Sequence, residues 1–283
     1  MNRRKMEEYF FQVLMVISTL IVVGSLFFIL VTVFVKGIPA LNLDMIIKTP
    51  EGGYYLGKSG GILNAILGSL ILGIGSSFIA FIVSLPIVFY LNVYLKSNSK
   101  LALAVRFSFD VLFGIPSIVY GAFGFTIMLL IGLRASLLAA MITVALLILP
   151  IMTRMMDEVL KTVSFELKEI SYALGATRLE TSMKVVFRQT FPGIVTAFLI
   201  SFGRGISDAA PVLLTASFTD SLPYSLFKPV ATLPLAIFFQ LSTPFPEVQQ
   251  RGYASAVVLT IIILLVSIFA RLFSKRFTRQ IVK

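Results

Sequence analysis

Residues Phe10 to Val35 form a predominantly apolar run, longer than the roughly 20 residues a helix needs to cross about 30 Å of hydrocarbon, and similar runs recur down the chain. No water reaches backbone N–H and C=O groups at that depth, so each run must close its own hydrogen bonds, as a helix does. Composition agrees: 58% of the 283 residues are hydrophobic and 13% are charged, where a soluble protein carries about 25% charged residues. The expected fold is all-α, a polytopic membrane protein with six transmembrane helices near residues 10–35, 62–93, 106–132, 135–155, 192–216 and 253–273. The first run exceeds the roughly 7 to 15 apolar residues of a cleavable signal, so it reads as a retained span.

Loops that alternate across the membrane place 17 basic residues on one side and 6 on the other, with Arg204 inside a span. The positive-inside rule then makes both termini cytoplasmic and residues 36–61 extracytoplasmic. Topology alone accounts for the net charge of +11, and no nucleic acid is needed. With no Cys and no His, the chain offers no disulfide, soft-metal site, histidine base or thiol nucleophile. One stretch, EGGYYLGKSGG at 51–61, spells a nucleotide-binding loop: Gly52, four residues, Gly57, Lys58, Ser59. It follows DMIIKTP, a short apolar run that ends in Pro rather than a buried strand, and it falls on the extracytoplasmic side. It therefore reads as a loop with a solvated Lys58, and the pattern as accidental.

A charge near the bilayer centre costs about 2.5 to 3.5 kcal/mol on insertion scales, so Arg204 needs a reason. Counted from Pro192 it lies about 18 Å into the fifth span, and Asp208 follows one helical turn later. One reading is a buried ion pair that locks two helices; the other is a planar fork of donors for an anion, with Asp208 orienting it. Arg154 falls near the cytoplasmic mouth of its span, where it either snorkels to headgroups or borders an exit path. Asp110 is expected to pair with Arg106 one turn earlier. Gly114, Pro116, Gly121 and Gly124 point to a kink or close packing in the third span, with Ser117 among them as a candidate path residue.

The long loop TRMMDEVLKTVSFELKEISYALGATRLETSMKVVFRQTFPG, near 155–190, is specified locally as two helices and a turn. Ser164 caps the first helix, Glu166 matches its positive dipole end, and Gly175 stops it. Thr177 to Glu180 forms a capping box for the second, and Pro192 suits the first turn of the fifth span. Phe165, Leu167, Ile170, Tyr172, Ala173 and Leu174 give the first helix apolar surface. That surface fits either an interfacial helix lying on headgroups or a helix docked in a partner's groove.

ELKEISYALGATRLETSMKVVFRQTFPGI resembles the EAA loop of ABC importer permeases, retaining Glu169, Gly175 and the spacing, with the two alanines and the Leu-Pro replaced. FGIPSIVYGAFGF, LPIMTRMMDEVL, PGIVTAFLISFGRGISDAAPVLLTA and GGILNAILGSL resemble the permeases of the phosphate-specific transport system. ATLPLAIFFQLSTPFPEVQQRGYASAVVLT favours its PstA-type over its PstC-type subunits. That family usually reads Arg-x-x-Gly-Glu-Thr-Ala-Pro where this chain has Arg204-Gly-Ile-Ser-Asp208-Ala-Ala-Pro211, so the acid is shortened by one methylene.

The resemblance implies a type I ABC importer permease fold with no chemistry of its own. Residues 1–61 would hold a first helix and an outer loop, and residues 62–283 the core permease domain with coupling loop 155–190. It implies a substrate path at Arg204, Asp208, Arg154 and Ser117. It implies contact with an ATPase through Glu166, Glu169, Ala173, Leu174, Gly175, Ala176 and Thr177. No cofactor is expected on this chain; ATP and Mg would sit on two PstB-type ATPase subunits, beside a PstC-type permease and an extracytoplasmic PstS-type phosphate-binding protein, in a prokaryotic cell membrane. Permeases for molybdate, sulfate or phosphonate are alternatives that Arg204 alone does not separate. A secondary transporter is a further alternative, though it has no need of the helix–Gly–helix loop. An intramembrane enzyme would need a polar catalytic set that the sequence does not offer at membrane depth.

Overall fold

A computed structural model describes residues 3–51, 60–96 and 99–278. The P-loop-like residues 52–59, Lys58 included, lie outside the described residues. Helix α1, Arg3–Gly37, is exposed along nearly its whole length and touches the bundle through α12. A short turn at Ile38–Ala40 and α2, Leu43–Ile47, lead to α3, Leu63–Phe89, which continues through a π turn, Tyr90–Tyr94.

The third span differs from expectation. It begins earlier and is broken into α4, Lys100–Phe113, and α5, Ser117–Leu130, which meet at 99°. At 14 residues each, or about 21 Å at 1.5 Å per residue, neither half crosses alone. The cause is local: Pro116 lacks an N–H, and a residue before proline disfavours helical backbone, so Ile115 cannot continue α4. The Tyr120 hydroxyl donates to the Leu112 carbonyl across the bend at 2.8 Å.

Helix α6, Leu137–Lys161, is the axis of the core, packed by α3, α4 and α5 and, beyond them, by the fifth-span elements. Its buried stripe of Val144, Ile148, Met152, Met156 and Leu160 recurs at helical spacing. Small polar groups join it to α3, where Thr153 donates to Ser84 at 2.8 Å inside the bundle. After α6 come α7, Phe165–Ala173, and α8, Arg178–Glu180; a π turn, Thr181–Val186; and α9, Phe187–Ser207.

The last three form one continuous helix of 30 residues, Arg178–Ser207. Pro192 is thus interior and does not mark the start of the span. The expected span 192–216 also ends early, at Ser207, and the chain breaks before α10, Ala210–Thr215. Residues 217–252, expected as an outer loop, include a buried apolar helix, α11, Leu233–Leu241. Its nine residues are too few to register as a span, and it docks on α12, Pro246–Thr278, and on α3, where Ser69 accepts from the Leu233 N–H at 2.7 Å. Among the described residues, five helices are long and apolar enough to cross a membrane, or six if α4 and α5 count as one.

Candidate functional site

Three of the four residues expected to line a substrate path, Arg204, Asp208 and Ser117, meet at one point. Helix α9 ends at Ser207, so Arg204 lies in its last turn, where the negative end of the helix dipole favours a cation. An Arg204 guanidinium nitrogen is 3.2 Å from Asp208 Oδ2. The other carboxylate oxygen, Oδ1, accepts from Ser117 Oγ at 3.2 Å and from the Ala210 N–H at 3.1 Å. The bend at 114–116 is what delivers Ser117 to this place, because it turns the first residue of α5 toward the break between α9 and α10. Bonding to an N–H two residues ahead is a habit of the short Asx side chain, which gives the shortened acid at 208 a structural role: it closes the turn into α10.

The pair is lopsided in exposure. The Arg204 side chain is 52% exposed and that of Asp208 only 11%. This is not a sealed ion pair: Asp208 is held from three sides, while the guanidinium borders a cleft of about 410 Å³. That cleft is otherwise lined by apolar residues of the α4–α5 bend, α6 and α9. Gly121 and Gly124 act in packing, as expected: a Cβ on Gly121 would come within 2.9 Å of the Ala210 carbonyl, so α5 can approach α10 only with glycine there.

Arg154, the fourth residue expected on the path, is elsewhere. It neither snorkels freely nor joins Arg204; its Nε is 2.8 Å from Asp110. The expected Arg106–Asp110 pair does not form either. Arg106 instead donates from Nε to Asp157 Oδ2 at 2.9 Å and from a terminal nitrogen to Oδ1 at 3.1 Å. The two helices are thereby buttoned by crossed charges: α4 offers Arg106 and Asp110 one turn apart, and α6 answers with Asp157 and Arg154.

Asp157, 1% exposed, also accepts from Lys161 at 2.8 Å and from Asn92 at 2.8 Å. Sequence reasoning missed this hub because it ended the fourth span at residue 155, whereas α6 runs to Lys161 and keeps Asp157 inside the bundle. The available signal was the i,i+4 spacing of Asp157 with Lys161 and of Arg154 with Glu158.

The segment between α6 and α9 follows its local signals closely. Ser164 Oγ accepts from the Leu167 N–H at 3.4 Å, and Thr177 and Glu180 form the capping box. Gly175 stops α7 at φ +81°, its N–H bonded to the Tyr172 carbonyl and that of Ala176 to the Ser171 carbonyl. Ser171 and Thr181 hydroxyls meet at 2.9 Å, buried, and fasten α7 to the start of the long helix.

The apolar surface of α7 is split between two faces. At 100° per residue, Glu166, Glu169, Ile170, Ala173 and Leu174 share the outward face, all of them exposed, with Leu174 at 83%. Phe165, Lys168 and Tyr172 turn instead toward the end of α3. No atom lies within 4 Å of where a Gly175 Cβ would be, so Gly175→Val strains only the backbone, by about 1 to 2 kcal/mol. The expected result is faster amide exchange at position 175 and at Ala176, with a melting temperature lowered by only a few degrees.

The model of the family described as "Binding-protein-dependent transport system inner membrane component" matches residues 84–282. The phosphate transport system permease protein PstA of Haemophilus influenzae is 33% identical over 262 residues, covering 91% of this chain and 90% of that protein. PstA of Mycobacterium leprae is 32% identical over 78% of this chain and 73% of its own length. Among solved structures, a bacterial alginate ABC transporter in complex with its alginate-bound periplasmic protein has a chain that superposes with a TM-score of 0.66 at 14% identity, covering 97% of both chains. The MetNI methionine ABC transporter in an inward-facing form gives 0.61 at 21% identity, over 78% of this chain and 96% of that one. At those identities the structures speak for the fold, and the sequence relatives carry the family. The bent span, the long helix that carries Arg204 in its last turn and the exposed α7 are therefore features of a multi-pass transport subunit, and the chain belongs to the family of binding-protein-dependent transport system inner membrane components, with the PstA permease proteins as relatives.

Proposed function

We propose that this chain forms one half of the translocation path of an ATP-driven phosphate importer and relays nucleotide-driven movement to that path. The observation that carries the proposal is continuity: a single helix runs from Arg178, beside α7, to Arg204 at the cleft. An element about 45 Å long, at 1.5 Å per residue, moves both ends together. Phosphate as the cargo is supported by the names of the relatives and by the chemistry of a half-exposed guanidinium, which presents planar donors to an oxyanion.

In this reading the outward face of α7, with Glu166, Glu169, Ala173 and Leu174, docks on an ATPase subunit that holds ATP and Mg. Gly175, Ala176 and Thr177 set its angle. The open side of Arg204 faces a PstC-type permease, and a PstS-type binding protein delivers phosphate at the opposite end, with both termini cytoplasmic. Asp208 and Ser117 position Arg204 and moderate its grip, since a site must also release its ion. Arg154, paired with Asp110, belongs to the joint between α4 and α6 and borders the exit.

The test is ATP-dependent uptake into vesicles containing the complex assembled on this chain. Labelled phosphate is expected to accumulate, with no competition from a tenfold excess of molybdate or sulfate. Preferential uptake of either competitor would replace the cargo, and uptake without the ATPase would remove the ATP-driven mechanism.

A further inference from the structure

A groove of about 740 Å³ opens between the end of α3 and the inner face of α7. Four of its lining residues are cations, Lys96, Lys161, Lys168 and Arg178, and no carboxylate among the described residues lines it. Lys161 is already committed to Asp157 and Glu158 at 2.8 Å each. The other three have no ion pair among the described residues. Lys168 Nζ donates to the Asn92 carbonyl at 3.1 Å, and Arg178 donates to the Tyr94 carbonyl at 3.2 Å while its guanidinium lies over the Tyr94 ring. Carbonyls leave positive charge uncompensated: an ammonium has three N–H donors and a guanidinium five, and one of each is used here. Burial lowers the Lys168 pKa from its ordinary value, as expected of a cation with no neighbouring anion.

The rest of the groove is apolar and aromatic. Leu91, Val93 and Leu95 of the α3 end supply one wall, and Phe165 and Tyr172 of α7 the other. Tyr90 and Tyr94 stack at 5.9 Å beside it, a pairing suited to the headgroup level of a membrane-spanning helix. Cations for a phosphate beside an apolar wall fit an amphiphile better than a free ion, which would have no use for the wall. The groove also lies on the face of α7 turned away from Glu166, Glu169, Ala173 and Leu174, so a protein docked on the outward face leaves it open.

We propose that this groove binds the headgroup phosphate of an anionic phospholipid, through Lys96, Lys168 and Arg178, and thereby fastens α7 to the end of α3. The phosphate chemistry is shared with inorganic phosphate, and the test separates the two. Phosphatidylglycerol is titrated into the delipidated complex carrying this chain and counted by native mass spectrometry.

Lys96→Gln with Lys168→Gln, which keeps a donor for the Asn92 carbonyl, is expected to weaken binding about 25-fold, from roughly fivefold for each basic residue removed near a headgroup. Lys96→Arg with Lys168→Arg is expected to restore it, which separates charge from folding. Lys184→Gln with Arg188→Gln, charge-matched and outside the groove, is expected to leave it unchanged. Equal weakening by that control pair, or equal binding of phosphatidylcholine, would overturn the site. Binding of inorganic phosphate alone, lost in the groove variant, would overturn the lipid in favour of the free ion.

Discussion

Asp157→Asn is expected to destabilise the protein by about 3 to 5 kcal/mol, the usual cost of removing one partner from a buried ion pair. The geometry explains why the loss is large. Asp157 is 1% exposed and receives Arg106 through two nitrogens, Lys161 and Asn92, so its neutralisation removes the carboxylate that answers a buried guanidinium. Lys161 can turn outward to Glu158, but Arg106, itself buried, cannot follow.

The measurement is thermal unfolding of the detergent-solubilised chain, together with its steady-state level in membranes. The paired change Arg106→Met with Asp157→Leu is expected to recover most of the loss, because the desolvation of both charges disappears along with their attraction. A single mutant as stable as the parent, or a double mutant no better than the single, would show that the crossed pairs between α4 and α6 do not hold the bundle.

Arg204→Gln is expected to leave the fold intact and to lower ATP-driven phosphate uptake by about 10- to 150-fold, the equivalent of roughly 1.5 to 3 kcal/mol for hydrogen bonds to a charged partner. The fold survives because the side chain is half exposed and Asp208 keeps its bonds from Ser117 and Ala210. Arg204→Lys is expected to fall between the two, retaining the charge without the planar fork. Unchanged melting with lost uptake distinguishes a substrate contact from a purely structural pair; lost melting with unchanged uptake per folded molecule would assign Arg204 to structure alone.

Where sequence reasoning succeeded, the signal lay within a few residues of its consequence. Gly175 at positive φ, the Ser164 cap and the Thr177–Glu180 box are decided by hydrogen bonds no more than five residues apart, so their residue types suffice to place them. The long apolar runs likewise declare spans, because solvent exclusion acts on each run separately. Pro116 announced a disturbance in the third span but not its size: a kink and a 99° break share the same local cause, and only the packing of α5 against α10 and α6 selects the break.

Charge pairing followed neither route. The nearest partner in sequence for Asp110 was Arg106, yet the pairs that form reach across from α4 to α6, Asp110 and Arg154 standing 44 positions apart and Arg106 and Asp157 51 positions apart. Likewise Ser117 meets Asp208 across 91 residues. The sequence by itself determined that the chain is a helical membrane protein, where α7 starts and stops, and that Arg204 and Asp208 lie within an apolar run. Only the tertiary structure decided which of those groups face one another, because a buried charge must find its partner wherever the packing of helices brings one, and that distance is set by the bundle rather than by the chain.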